Sequence, residues 1–350
     1  MSIFQEAQRI HQLLTQEEEI SVDVALFGQP GAGKSSLINR LTGQKLAPEG
    51  VKTDMTQESH SYEWNGLKLT DLPGYGTLQF PKETYLHRFN VWRYDVFLCV
   101  FSGKFRDEDS EFFRELKTRN RPCIFVRNKA DDIWEEDKSD ATLREEIAAD
   151  LQKHLHSKEP LLFTSCRTRE GISELEYAIA SLLEGAKQDR FFRGAKAYTE
   201  DFLEQKKKSC ERFVAMAAGS SAVNAINPVP GLDIAVDLSL LLALFKRIRS
   251  SFGLTDERLK TKDFATPTLA QVAQNIVKYG AEDGIVMLLQ RFAGRIATRE
   301  VTKWIPLIGQ AIAASAGYAI TLAAGKSYLN DCYTLARAIL DKELVGASNQ

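Results

Sequence analysis

The residues Gly28-Gln29-Pro30-Gly31-Ala32-Gly33-Lys34-Ser35 have the spacing G-x-x-x-x-G-K-S of a loop that cradles phosphate. Gly31 and Gly33 keep Cβ atoms away from a curled backbone, and free amides at the loop and helix start converge on an anion. Gly28, Gly31, Ala32, Gly33, Lys34, Ser35 and Ser36 are the expected phosphate-side contacts. The Lys34 ammonium would reach the outer phosphates, and the Ser35 hydroxyl would ligate Mg²⁺.

Further along, Asp71-Leu72-Pro73-Gly74 places a carboxylate that can hold Mg²⁺ through water, with the Gly74 N–H facing the terminal phosphate. Between the two lies Gly50-Val51-Lys52-Thr53-Asp54-Met55-Thr56, from which Thr56, or else Thr53, is expected to close on the metal and the phosphate. Lys34, Thr56 and Gly74 are therefore the candidate catalytic groups, and Ser35, Thr56 and Asp71 the candidate metal ligands. Asn128-Lys129-Ala130-Asp131 would select guanine, because a carboxylate at Asp131 accepts from both N1–H and the exocyclic amine. Asn128 would brace the loop and the Lys129 stem would lie along the base. Ser165, Cys166 and Arg167, from Thr164-Ser165-Cys166-Arg167, would close the pocket with backbone N–H groups.

These residues need a scaffold that brings strand ends together. Apolar runs at 21–27, 67–70, 96–101, 122–127 and 160–164 read as strands. They alternate with helical stretches at 34–41, 107–118, 141–155 and 172–183, the pattern of a mostly parallel α/β sheet. Residues 59–64 and 67–70 flank Asn65-Gly66 and predict one antiparallel hairpin. Past residue 185 strand signals cease, and helices are expected at about 186–226, 231–252, 266–279, 281–300 and 309–342. An amphipathic helix over 3–16 has no place in the α/β unit and should pack on these helices. The expected domains are 1–20 and 185–350, helical, around 21–184, the α/β domain.

The 350 residues exceed one ordinary domain, and a net charge of −2 offers no general attraction to nucleic acid or anionic lipid. Five scattered cysteines and five histidines form neither a disulfide framework nor a metal-ligand pattern, which suits a reducing, cytoplasmic setting. Residues 1–6 read as neither a signal peptide nor a myristoylation site. Ala235–Phe245 and the uncharged Ile305–Ala324 are unusually apolar. Their small residues fit tight helix packing first and conditional membrane contact second, and by length alone the second stretch could just span a bilayer, which would make it a membrane-inserted helical region.

The ordered motifs resemble the GTPase superfamily over residues 21–184. Ala25-Leu26-Phe27-Gly28-Gln29, Asp71-Leu72-Pro73-Gly74-Tyr75-Gly76 and Phe125-Val126-Arg127-Asn128-Lys129-Ala130-Asp131 look like the immunity-related (interferon-inducible) GTPases and their bacterial relatives. Residues 226–237 and 304–309 are similar to Pro-Gly corners of that family's helical domain. The resemblance implies an α/β P-loop GTPase domain plus an all-α domain formed by the N-terminal helix and the C-terminal half. It also implies GTP/GDP and Mg²⁺ as ligands, and nucleotide-dependent dimers or oligomers meeting through the GTPase domains. Peripheral membrane contact goes with it, and nucleic acid does not. Lys34, where many members carry methionine, and the missing lipid-accepting glycine suggest a lysine-containing, non-lipidated or bacterial-type member. Tyr75 stands where Ras-like enzymes place a water-orienting glutamine. Turnover should therefore need help from Lys104, Arg106 or a partner's nucleotide.

Overall fold

A computed structural model describes residues 3–48, 59–76, 78–223, 237–260, 266–293 and 316–348. Thr53 and Thr56, the 226–236 and 304–309 corners and residues 305–315 of the apolar stretch lie outside the described residues. The chain divides into two compact units, Ser21–Tyr198 and Met1–Ile20 with Thr199–Gln350.

The first unit is a six-stranded sheet ordered β2-β3-β1-β4-β5-β6. Its strands are β1 (Val22–Gly28), β2 (His60–Trp64), β3 (Leu67–Asp71), β4 (Val96–Phe101), β5 (Cys123–Arg127) and β6 (Leu161–Phe163). All pairings are parallel except β2 with β3, where Trp64 opposes Leu67 across the Asn65-Gly66 turn. Both turn residues adopt positive φ, 46° and 78°, which lets the hairpin follow the twist of its strands. The central strands β1 and β4 are almost wholly buried, as their continuous apolar runs require.

Around the sheet lie α2 (Lys34–Thr42), α3 (Lys82–Arg88), α4 (Asp107–Thr118), α5 (Asp140–Leu155), α6 (Ile172–Ser181) and α7 (Gly185–Gly194). Phe112 of α4 is the hub of one face. Its ring centroid is 4.7 Å from Phe27, 4.9 Å from Tyr75 and 5.4 Å from Tyr85. Such pairs add about 0.5–1.5 kcal/mol each beyond burial.

The sequence predicted one helix over 186–226. Instead α7 ends at Gly194 and a new helix, α8 (Glu200–Val223), begins at Glu200. The chain between them is drawn into the first unit: the Lys196 N–H donates to Leu41 O at 2.9 Å, and the Tyr198 hydroxyl donates to Arg40 O at 2.8 Å. Residues 185–198 thus fold with the sheet, past the boundary at 184 read from the sequence.

The second unit is all-helical among its described residues. It contains α1 (Ile3–Glu19), α8, α9 (Leu238–Ser251), α10 (Asp256–Lys260), α11 (Pro267–Tyr279), α12 (Glu282–Ala293) and α13 (Ala316–Ser348). The long α13 packs against α8, α9, α11 and α12, while α1 packs against α8 and buries Ile10 and Leu14. Asp237 caps α9 by accepting from the Leu240 N–H at 3.1 Å. None of the described helices is long and apolar enough to cross a membrane.

Candidate functional site

The parallel strands β1, β4, β5 and β6 run in the same direction, so the loops after their C-terminal ends gather at one edge, where open α/β sheets bind ligands. The loop between β1 and α2 turns through Gly28, at φ 113°, where an added Cβ would lie 2.3 Å from Val100 O. Only glycine fits there. Lys34, the first residue of α2, folds back over the loop and donates to Gly28 O at 3.3 Å and Gln29 O at 3.2 Å. Its ammonium stands 3.7 Å from Asp71 Oδ1 at the end of β3. Burial raises the Asp71 pKa against the opposing pull of Lys34 and His60, and Asp71 Oδ1 has no hydrogen-bond partner. A recessed carboxylate oxygen next to a phosphate cradle, with the Ser35 hydroxyl in the first turn of α2, is a hard-oxygen donor set that suits Mg²⁺. Among the described residues no cluster of three or more His, Cys, Asp or Glu could hold a metal ion.

Asn128 links this cradle to the second half of the site. Its Nδ2 donates to Ala32 O at 2.7 Å, and its Oδ1 accepts from Thr164 Oγ1 at 3.1 Å and from Cys166 Sγ at 3.8 Å. Gly33 has to be a glycine for the same contact: at φ 90°, its Cβ would sit 2.4 Å from Asn128 Nδ2. Lys129 follows in the left-handed region at φ 58°, exposed, which turns the chain so that Asp131 faces a cavity of about 550 Å³. Gly33, Ser36, Asn128, Lys129, Asp131, Cys166 and Arg167 all line that cavity. Burial works against the Asp131 anion, but hydrogen bonds, the side-chain one from Ser165 foremost, and the Arg167 charge outweigh it, and its pKa falls below the ordinary value.

A scan of family models matches residues 2–292 to the one described as Interferon-inducible GTPase (IIGP). The chain belongs to the interferon-inducible GTPase family. Interferon-gamma-inducible GTPase 10 of Mus musculus is 27% identical over 271 residues, covering 72% of this chain and 65% of that protein. The chain thus spans just under two thirds of that relative's length. A probable GTP-binding protein EngB of Afipia carboxidovorans is 32% identical over 181 residues, 46% of this chain and 81% of that protein. A solved structure of a probable GTP-binding protein engB is 26% identical and covers 46% of this chain and 98% of its own, with a TM-score of 0.34.

Within this family setting, the motif after β3 departs from a water-orienting arrangement. Tyr75 is 8% exposed, stacked on Phe112 and edge-on to Tyr85, whose hydroxyl donates to Pro73 O at 2.6 Å. Its ring is part of the core, while the neighbouring Gly74 is half-buried.

Three residues around the candidate site were given no role by the sequence. Gln29 is 7% exposed and its Oε1 accepts from the Ser102 and Gly103 N–H groups at 3.3 and 3.2 Å, while its Nε2 donates to Lys104 O. This fixes the loop carrying the exposed Lys104 and Arg106 beside the phosphate cradle. Arg40 Nε donates to Cys166 O at 2.6 Å and steadies the pocket's far wall. Asn39 accepts from the Leu46 and Ala47 N–H groups, both at 2.8 Å, and so pins the chain that leaves α2. Being a polar residue in a helix of mixed composition, it gave no sign of that role.

Proposed function

We propose that the chain binds GTP and GDP with Mg²⁺, hydrolyses GTP, and completes its hydrolytic site where two copies meet through their α/β units. The observation that carries the reading is the Asn128 bridge, which joins the phosphate cradle at Ala32 to the base pocket at Thr164 and Cys166. Phosphate binding and purine choice then become properties of one site. Gly28, Gly31, Ala32, Gly33, Lys34, Ser35 and Ser36 hold the phosphates. Asn128, Lys129, Asp131, Ser165, Cys166 and Arg167 form the base pocket.

Bound Mg²⁺ supplies charge neutralisation across the phosphates. Lys34 spreads positive charge over the outer phosphates, and its present bonds to Gly28 O and Gln29 O keep it aimed across the loop. Ser35 and Asp71 would hold the metal, with Thr56, or else Thr53, as the expected further ligand and the Gly74 N–H as the expected donor to the terminal phosphate. The burial of Tyr75 in the aromatic core is why a second copy is invoked, since the side chain after Gly74 is committed to packing. Lys104 or Arg106, on the loop held by Gln29, or else a partner's nucleotide, would supply the missing stabilisation. In this reading the protein works in the cytoplasm with peripheral, nucleotide-dependent membrane contact and without nucleic acid.

Turnover per protein molecule should rise with protein concentration and level off once dimers saturate, as a phosphate-release assay would show. A flat profile would instead leave a slow GTP switch that recruits an effector. Flotation with anionic vesicles should recover more protein with a non-hydrolysable GTP analogue than with GDP, and equal recovery would remove the membrane element.

A further inference from the structure

The base pocket holds a charge pair whose position gives it a role of its own. Arg167 contacts Asp131 Oδ2 through one guanidinium nitrogen, which also lies 3.4 Å from Asp132 Oδ1. Both Asp131 and Arg167 line the cavity, so the pair spans the pocket wall rather than an outer surface. The two partners are unequally set: the Asp131 side chain is recessed at 12% exposure, whereas that of Arg167 is 72% exposed.

The loop under Arg167 is firmly held. Cys166 O accepts from Arg40, the Ser165 N–H donates to Glu170 O at 2.9 Å, and the Thr168 N–H donates to Ser165 Oγ at 3.0 Å. Arg167 is therefore an arm with a fixed root and a solvated head. Guanine carries its N1–H and exocyclic amine on one carbon, which is itself a guanidine unit. An arginine side chain presents the same kind of N–H fork to a carboxylate.

We propose that Arg167 is an internal stand-in for the guanine edge: it occupies Asp131 while the pocket lacks a nucleotide and must swing away before guanine binds. The proposal rests on the reading that this pocket takes guanine nucleotides. Two consequences follow from the geometry. The recessed Asp131 carboxylate exchanges one set of N–H donors for another, and so is not left with its hydrogen bonds unmade, which would be costly for a recessed anion. Guanine nucleotides also meet a competitor for Asp131. The competitor is weak because an exposed ion pair contributes little and is screened by salt.

The test is stopped-flow association and dissociation of GDP bearing a fluorescent ribose label, with the full chain as wild type, Arg167→Ala, Arg167→Gln and Arg167→Lys. At low salt the Ala and Gln variants should associate roughly two- to fivefold faster than wild type, the range open to an exposed pair. The gap should narrow at high salt, the dissociation rate should stay at the wild-type value, and Arg167→Lys, which keeps the charge without the fork, should fall between wild type and the neutral variants. Association no faster than wild type in both neutral variants, or faster dissociation in either, would overturn the proposal, since Arg167 would then be idle or steadying the bound base. Should Arg167→Ala lose its fold by circular dichroism, Arg167→Gln, which retains most of the side chain's length, decides the matter. If the wild-type chain binds no guanine nucleotide, the functional reading falls and this proposal with it. Wild-type binding with unchanged variants would remove the stand-in alone.

Discussion

Asp131→Asn should lower the affinity for guanine nucleotides by roughly two to four orders of magnitude, because it removes two charge-assisted hydrogen bonds worth about 1.5–3 kcal/mol each. The loss is large because the replacement is hostile as well as neutral: an Asn amide turns one N–H toward a base edge that offers only N–H. Xanthine carries a carbonyl where guanine carries the amine, so the same amide matches it, and xanthosine diphosphate should bind the variant better than GDP does. The fold should survive. On the protein side the ion pair to a largely exposed Arg167 contributes less than about 1 kcal/mol, and the Ser165 hydrogen bond can still be accepted by the Asn carbonyl oxygen. Calorimetric titration of wild type and variant with both nucleotides reads the result. Unchanged GDP affinity would take Asp131 out of the base pocket. The substitution also frees Arg167, so the variant's association rate should lose whatever salt dependence the pair imparts.

The sheet was readable because its signals are local. β1 and β4 are continuous apolar runs, and Asn65-Gly66 supplies the two positive-φ residues a tight hairpin requires. Short α3 went unread although Pro81 and Glu83 mark its start, since seven residues give too little periodicity for a helix to stand out. The break between α7 and α8 carries local marks, Gly194 at the end of α7 and Thr199, whose Oγ1 accepts from the Phe202 N–H at 3.2 Å, but they do not dictate the extended stretch between them. Ala195, Lys196 and Tyr198 would continue a helix, and it is the bonds to Leu41 and Arg40, more than 150 residues back, that pull them straight. Tertiary contact overrode propensity there.

The site divides along the same line. Lys34, Asp71, Asn128 and Asp131 could be named from spacing because each motif carries its own geometry. The Gln29 clamp on Ser102, Gly103 and Lys104 could not, because it spans some 75 residues of sequence and depends on β1 lying beside β4. Arg167 was expected to contribute its backbone N–H, and its side chain turned out to hold Asp131. The burial of Tyr75 falls between these cases. Its place after Gly74 was evident, but its commitment to the core follows only from where α4 puts Phe112.

Asp109 carries the second large prediction. It lies in the first turn of α4, where a helix dipole favours an anion, yet it is 6% exposed and its Oδ2 has no hydrogen-bond partner. Burial pushes its pKa up to about 6 from the usual 3.8, against the opposing pull of Arg106 and then Lys34. A carboxyl that binds its proton more tightly when folded stabilises the fold relative to the unfolded chain below pH 3.8, and that advantage is lost as pH rises through about 6. Two pKa units correspond to about 3 kcal/mol, so at neutral pH the native state bears an ionised, buried carboxylate at a cost of that order. Asp109→Asn keeps the shape and removes the charge. It should stabilise the protein by about 1–3 kcal/mol at pH 8, or roughly 2–12 °C in melting temperature for a unit of this size, and by almost nothing near pH 4. Melting curves at the two pH values check the sign: a variant less stable than wild type at pH 8 would mean that the ionised carboxylate supports the fold. The charge lies within the electrostatic reach of Lys34, the residue assigned to the phosphates. A costly anion within electrostatic reach of the ammonium proposed to hold phosphate fits the rule that sequences break local consistency at working sites. The variant should therefore gain stability while its GTP turnover falls, and a gain in both would separate Asp109 from the nucleotide site.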